Sequence, residues 1–344
     1  MNSAPLVFVI VLNYNGMEYL KTCLSSLELQ TYTNYKIVVF DNASTDNSVE
    51  FVIKNFPNIT LIQGEKNFGF AKGNNLAIKF ALSQKADYVF LVNNDTFVEK
   101  DLIEKLINTV ESDHSIGIAG PAVFDLKNKR SIQEMGMAID RFGYPLAIKN
   151  SPKKDSCIFF VSGCAIMIKS ELISKIGFFD EKYFMFAEDL DLCWRAQLAG
   201  YKITVNETAR IYHASGASIS GGVIKASSYK TNVKRVFLRE KNTLRTLIKN
   251  YDTSNLTKVV PFYVALLLFE SIFWSCILKP DTSKNIFKAI FWNIKFLPDT
   301  LQQRALVQKI RKIQDNVIVE KMMDGYGKLT IFRTIGVPHF VSSK

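Results

Sequence analysis

Three carboxylates, Glu188, Asp189 and Asp191, fall within four positions of the apolar and aromatic stretch Phe184-Met-Phe-Ala-Glu188-Asp189-Leu-Asp191-Leu-Cys-Trp194-Arg195. Like charges buried together are costly unless a cation, a substrate or a proton transfer makes use of them. The cluster is therefore a candidate for a catalytic base beside a metal-bound anionic substrate. The competing reading is acids decorating a helix N-terminus, where the macrodipole favours them. Asp191 and Arg195 have the i, i+4 spacing of a plain helix-surface ion pair.

Other residues of this kind follow short apolar runs. Asp95 comes directly after Tyr88–Val92 and could give one oxygen to a hard divalent cation, with phosphate oxygens and water completing the shell. Equally, it could cap a helix near Thr96–Leu102. Asp41 follows Lys36–Phe40 and suits a ribose or base edge, or else an Asx-type turn with Asn42 and Ser44. Gly69 and Gly73 permit close backbone approach to a ligand, or serve as turn and packing glycines. His213 follows Ala209–Tyr212 and offers an imidazole to the same cation, or a structural contact.

The elements that must position these groups are legible as alternating patterns. Leu6–Leu12 is a continuous β-branched run, as for a strand buried on both faces. Glu18–Leu29 has helical spacing. Lys36–Phe40 and Thr60–Gln63 read as further strands, with Ser44 or Thr45 as N-cap of a helix between them. Leu76–Leu82 reads as a helix, Tyr88–Val92 as a strand, and Val161–Ile168 as another buried strand. Tyr201–Val205 and Ala209–His213 follow the carboxylate helix. Alternation of this kind predicts a mostly parallel sheet with helices on both faces, whose ligands sit beyond the carboxyl ends of the strands. Asn13–Asn15, Asp41–Asn42 and Asn93–Asp95 should then line one crevice. No G-x-G-x-x-G follows the first strand, which disfavours a dinucleotide.

Charge divides the chain. Residues 224–344 carry 21 Lys and Arg against 8 Asp and Glu, whereas residues 1–223 carry 22 against 24. The basic third also holds a basic helical stretch at 227–250 and Val259–Leu278, close to bilayer-spanning length but interrupted by Pro261 and Glu270. In Ile286–Leu297, Phe287, Ile290, Phe291 and Ile294 recur at helical spacing. Five cysteines without a C-x-x-C pair favour reduced thiols in a cytosolic compartment over a disulfide framework. The N-terminus has no basic, signal-like start.

Together, Val9-Ile-Val-Leu-Asn13-Tyr14-Asn15-Gly16, Val39-Phe-Asp41-Asn42-Ala-Ser44-Thr-Asp46, Asn67-Phe-Gly69-Phe-Ala-Lys-Gly73-Asn74-Asn75, Leu91-Val-Asn93-Asn94-Asp95, Ser162-Gly163 and Phe186–Arg195 resemble the family 2 glycosyltransferases, in particular the rhamnosyltransferase-like branch with the GT-A fold. The resemblance covers about residues 5–250. It implies an inverting transfer from a nucleotide-diphospho-sugar, with Asp189 as base and Glu188 in support. The implied metal ligands for Mg²⁺ or Mn²⁺ are Asp95 and His213. Implied donor-binding positions are Asn13, Tyr14, Asn15, Asp41, Asn67, Gly69, Gly73, Asn74, Asn93 and Asn94, with Gly163 and Trp194 on the acceptor side. Asn93 departs from the first acid of the DXD-like motif, which weakens the metal site or shifts it toward diphosphate and His213.

The implied organisation is a GT-A domain over 1–223, with its nucleotide-sugar half to about 116 and its acceptor half from about 117. A helical, membrane-associating region follows at 224–344. Processive members carry Q-x-x-R-W, and only Gln308…Arg311 comes near it, so transfer of one sugar to a glycan or lipid-linked acceptor is expected. The setting would be the cytoplasmic face of the cell membrane, without nucleic acid. The alternatives are a sugar nucleotidyltransferase, disfavoured because Asn13–Gly16 is not a phosphate loop, and a non-catalytic sugar-nucleotide-binding or scaffold protein.

Overall fold

A computed structural model describes residues 4–151, 158–214, 224–225 and 228–341. Two compact units emerge: residues 1–137 with 147–215, and residues 138–146 with 216–344. The expected boundary at 223 lies outside the described residues, as does Cys157. The hairpin segment 138–146 belongs with the C-terminal unit, which a contiguous division at 223 did not anticipate.

The first unit runs β1 (Val7–Asn13), α1 (Met17–Glu28), β2 (Tyr35–Asp41), α2 (Ser48–Asn55), β3 (Thr60–Gln63), α3 (Gly69–Ser83), β4 (Tyr88–Asn93), β5 (Thr96–Val98), α4 (Leu102–Ser112), β6 (Ile116–Asp125) and β7 (Ile132–Glu134). After a hairpin of β8 (Met137–Ile139) and β9 (Pro145–Ala147) come β10 (Ala165–Lys169), α5 (Ser170–Ile176), α6 (Glu188–Leu198) and β11 (Lys202–His213). Among the described residues the main sheet has the order β3-β2-β1-β4-β10-β6-β11-β5, with β7 on β6. Strands β3, β2, β1 and β4 are mutually parallel, and β6 is parallel to β11. Strands β10, β5 and β7 run antiparallel to their neighbours. The sheet is thus mixed. Both faces of β1 are covered: Val7, Val9 and Val11 join a core with Leu20, Leu24 and Leu102, while Phe8 meets Phe80 of α3 edge-on.

Four local departures from the sequence pattern share one cause, a polar side chain or strand partner that outcompetes propensity. Residues Val161–Cys164 form a loop instead of the start of β10, because Gly163 N–H is engaged by a carboxylate. Thr96–Val98 is a strand, not a helix, because it pairs with Ile211–His213. Tyr201–Val205 and Ala209–His213 fuse into β11, whose register shifts between Asn206 and Arg210. Helix α2 starts at Ser48, with Asp46 accepting from its N–H, while the Ser44 hydroxyl turns to Asp41.

The Asp191–Arg195 pair is not a surface contact. Asp191 is 0% and Arg195 4% exposed, and their side chains meet at 3.0 Å. The guanidinium also donates to the carbonyls of Ile176 (2.6 Å), Gly177 (3.2 Å) and Phe178 (2.9 Å). This latch ties α6 to the turn after α5. It holds down the approach to α6, where Phe184, Phe186 and Ala187 all have left-handed φ values of 63°, 73° and 63°. Such residues cost roughly 1–3 kcal/mol each and persist only where their surroundings over-determine them. A second restraint comes from α3: Phe70 N–H donates to Phe184 O at 2.6 Å. Gly69 makes this approach possible, since its φ is +78° and a Cβ there would sit 2.6 Å from the same carbonyl oxygen.

The C-terminal unit contains β12 (Ile224–Lys225), β13 (Ser228–Thr231), α7 (Val233–Asn250), α8 (Thr253–Cys276), α9 (Pro280–Lys295), α10 (Leu297–Ile310), α11 (Asp315–Val319), α12 (Gly327–Ile335) and β14 (His339–Phe340). Helix α7 packs against α9 and α10, and α8 against α9. The basic face of α7 is largely interior: Arg245 donates to Thr300 at 2.6 Å and Asp299 at 2.7 Å, and Lys241 lies 4.6 Å over the Trp292 ring. Its charge is therefore structural.

Asp191→Ala leaves a buried guanidinium uncompensated, so it should destabilise the first unit by about 3–5 kcal/mol, measured by chemical denaturation. Gly69→Ala adds strain and a clash and should cost about 1–3 kcal/mol, with increased proteolysis at 184–187 as the local readout. Wild-type stability in either variant would remove that restraint from the account.

Candidate functional site

The strand register brings the polar ends of β1, β2 and β4 together: Asn13 stands opposite Asp41, and Leu12 opposite Asn93. Asn13 is fully buried and joins all three strand ends. Its Nδ2 donates to Asp41 Oδ1 at 2.9 Å and Ser44 Oγ at 3.1 Å, and its Oδ1 accepts from Asn94 Nδ2 at 2.7 Å. A Cβ at Gly16 would lie 1.9 Å from that Asn94 nitrogen, so the bridge requires glycine there. Asp41 accepts from Ser44 N–H (2.8 Å) and Ser44 Oγ (2.6 Å), which is the Asx-turn arrangement. Asn15 accepts from Thr45 N–H at 2.7 Å, closing the two loops on each other, while Tyr14 is 46% exposed beside them.

Asn42 extends this brace to the next loop, donating to Gly69 O at 3.0 Å and accepting from Phe68 N–H at 3.0 Å. Asn67 accepts from Gly69 N–H at 2.9 Å. Other expected ligand-facing positions are interior as well. Asn74 is buried in α3 and donates to Phe70 O, and Gly73 packs its helix on Leu12. Trp194 is 0% exposed, with its ring edge-on to Phe159 at 5.2 Å, so it belongs to the core and not to an acceptor surface.

Asp95 precedes β5, so it caps no helix. Its Oδ1 lies 3.1 Å from His213 Nε2, at the end of the paired strand β11. Asn93 Nδ2 stands 3.5 Å from the same nitrogen. Gln133 on β7 holds the histidine from behind: its Nε2 donates to His213 O at 2.9 Å, which leaves its Oε1 facing His213 Nδ1 at 3.3 Å. An oxygen there calls for a proton on Nδ1, so Nε2 is the nitrogen directed at Asp95. Burial alone would lower the imidazole pKa, but the Asp95 hydrogen bond and charge, with Glu134 and Asp125, hold it above its ordinary value. One carboxylate oxygen and one imidazole suit a divalent cation that keeps its other positions for outside oxygens. Among the described residues no group of three or more His, Cys, Asp or Glu is placed to hold a metal ion.

Asp189, at the start of α6, accepts from Gly163 N–H at 2.9 Å and Leu190 N–H at 2.8 Å. Burial raises its carboxyl above the usual value, and the two N–H donors limit that rise. Glu188 beside it is buried. Between Asp189 and His213 lies a residue that sequence patterns did not single out, Glu134 of β7. Burial lifts its carboxyl, against the Ser162 hydroxyl and His213, and Asp189 adds to the rise. Burial pushes the Cys164 thiol well above its ordinary value, and the nearby carboxylates Glu134, Asp95 and Asp189 add to the rise. Gln133 and Glu134 sit on a strand of only three residues, too short to show a period.

Residues 8–177 match the family model "Glycosyl transferase family 2". A poly-beta-1,6-N-acetyl-D-glucosamine synthase of Staphylococcus aureus is 25% identical over 272 residues, covering 77% of this chain and 61% of that protein. The chain thus spans about three-fifths of that relative's length. An N-acetylglucosaminyl-diphospho-decaprenol L-rhamnosyltransferase of Mycobacterium tuberculosis is 24% identical over 230 residues, covering 60% of this chain and 75% of that one. Among solved structures, a mannosyltransferase of Pyrobaculum calidifontis in complex with GDP-Man and Mn²⁺ superposes with a TM-score of 0.51 at 16% identity, covering 90% of this chain and 86% of that one. The fold is of the GT-A type, and residues 8–177 are a glycosyl transferase family 2 domain.

Proposed function

We propose that this chain is an inverting glycosyltransferase that moves one sugar from a nucleotide-diphospho-sugar to a glycan carried on a lipid, working at the cytoplasmic membrane surface. The observation that carries this reading is the pair of separately braced acidic centres, Asp189 on Gly163 N–H and Asp95 on His213. Their environments differ as their tasks would. Asp189 has a raised pKa and takes the proton of the acceptor hydroxyl as its oxygen bonds to the anomeric carbon. The bond from that carbon to the diphosphate breaks with its electron pair leaving on the nucleotide, through an oxocarbenium-like transition state. A Mg²⁺ or Mn²⁺ held by Asp95 and His213 would neutralise charge on the departing diphosphate.

The donor side rests on the Asn13–Asp41–Ser44 and Asn42–Gly69 braces, which present Tyr14, Asn15, Asn67 and the turn at Asp41 as the ligand-facing edge. A nucleotide-sugar donor and a cation are supported by the GDP-Man and Mn²⁺ of the Pyrobaculum neighbour, and a polyprenyl-linked acceptor by the decaprenol substrate in the rhamnosyltransferase's name. Transfer of a single sugar is favoured by the use made of Gln308 and Arg311. Gln308 donates to Lys249 O at 3.0 Å, and Arg311 pairs with Asp315 at 2.5 Å, so both tie helix ends together.

The membrane surface is supported by α8 and α9. Tyr263, Leu267, Ser271 and Trp274 form the inward stripe of α8, while Phe262, Phe269 and Ile272 are exposed. Helix α8 is long and apolar enough to cross a bilayer, yet Glu270 in its last third pairs with Lys328 of α12 at 2.9 Å. On α9, exposed Phe287, Phe291 and Ile294 are flanked by exposed Lys284, Lys288 and Lys295. That pattern suits a helix lying in an anionic interface, and we place α8 and α9 in the plane of the membrane.

Asp189→Asn should cut transfer by about 10²–10⁴-fold without loss of fold, assayed with labelled sugar nucleotides and membrane lipid extract; near-wild-type turnover would remove Asp189 as base. Because the base must be deprotonated and its pKa is raised, kcat/KM should be full above that value. It should fall with decreasing pH at a higher pH than an ordinary carboxylate would give. Gln133→Ala should weaken Mn²⁺ binding about 10–100-fold, read by electron paramagnetic resonance with UDP present. Unchanged affinity would separate Gln133 from the cation.

A further inference from the structure

The C-terminal unit encloses a cavity of about 350 Å³, formed by α7, α8, α12, β13 and β14 together with Tyr144. That volume lies within the ~300–1,000 Å³ of small-ligand sites. Its walls are aromatic. Trp274 meets Phe340 edge-on at 5.3 Å and Phe273 meets Phe332 at 5.9 Å, with Leu266 and Leu329 completing the lining. The polar groups in the lining satisfy one another. Lys328 pairs with Glu240 at 2.8 Å and Glu270 at 2.9 Å, Tyr263 donates to Glu240 at 2.6 Å, and Trp274 donates to Glu270 at 3.2 Å. Arg239 lies 4.8 Å over the Tyr144 ring. The space that remains offers hydrocarbon contact and little hydrogen bonding.

The surroundings indicate the occupant. Phe269, which lines the cavity, is 71% exposed and continues into exposed Leu268, Ile272, Leu329 and Phe332. An apolar field of this extent marks a lipid or protein contact, and the exposed Lys284, Lys288 and Lys295 of α9 complement an anionic head group. The cavity has room for a segment of one chain, whereas a phospholipid brings two. We propose that this cavity binds the polyprenyl chain of a polyprenyl-phosphate-linked acceptor, a lipid site in the C-terminal unit separate from the residues that act on the sugar. The proposal rests on the membrane-surface and polyprenyl-acceptor reading above and adds to it the cavity that binds the chain.

The test uses the full chain on phosphatidylglycerol vesicles containing geranylgeranyl phosphate with a diazirine at its far end, with the label located by mass spectrometry after irradiation. Label should fall on the peptides of Leu266–Trp274 and Leu329–Phe340. Unlabelled geranylgeranyl phosphate should compete for it, and added dioleoylphosphatidylglycerol should not. Leu266→Trp and, independently, Leu329→Trp at the exposed rim should each reduce this labelling at least 10-fold with vesicle sedimentation unchanged. Label confined to α9, equal competition by the phospholipid, or undiminished labelling in both variants would overturn the proposal. Vesicle sedimentation separately tests the membrane reading. If the wild-type chain fails to sediment, that reading falls, and the same labelling outcomes in detergent micelles decide the cavity.

Discussion

A carboxylate taken out of water must find hydrogen-bond donors, and the N–H of Gly163 is the donor on which this site turns. It reaches Asp189 only because Val161–Cys164 leaves the sheet as a loop before β10 begins, and because α6 starts where it does. The start of α6 is in turn set by three left-handed residues ahead of it. Their conformational cost, roughly 1–3 kcal/mol each, is met by the buried Asp191–Arg195 latch on one side and by the Phe70–Phe184 bond on the other. The acid proposed as base and the acid that is structurally necessary are thus two residues apart on one helix turn.

The same division recurs on the opposite side of the crevice. Asn13 and Asn42 are spent on bonds within the protein, yet they fix the loops that carry Tyr14, Asn15 and Asn67. Asparagine suits this task because its amide donates and accepts at once, bridging strand ends without adding charge. Near the cation site, Gln133 sets the ring of His213 and His213 faces Asp95, so orientation passes from a short strand to an imidazole to a carboxylate. With Asn93 in place of an acid, fewer negative charges gather there, consistent with a cation that leans on diphosphate oxygens.

Much of the first unit was legible in the sequence because β-branched runs ending in polar clusters signal parallel strands and their carboxyl-end crevice. The Asn13, Asp41 and Asn93–Asp95 clusters meet as that rule requires. What misled was local. Trp194 and Asp191 lie on the same face of α6 and were assigned to an acceptor surface and a solvent-exposed pair, whereas α6 is buried almost all round. Glu134 and Gln133 escape such patterns because a three-residue strand has no period, and its neighbour β6 reaches the His213 strand only through a pairing distant in sequence. In the C-terminal unit, charge counting located the basic excess but could not distinguish the interior cations of α7 from the exposed lysines of α9.

The central claim is a single displacement assisted by one base at Asp189, and the anomeric configuration of the product tests it most directly. Proton NMR of the first transferred sugar, compared with that of the donor, should show inversion at the anomeric carbon. Retention of configuration would contradict the account, since it would require a second displacement for which Asp189 and its neighbours have been given no role.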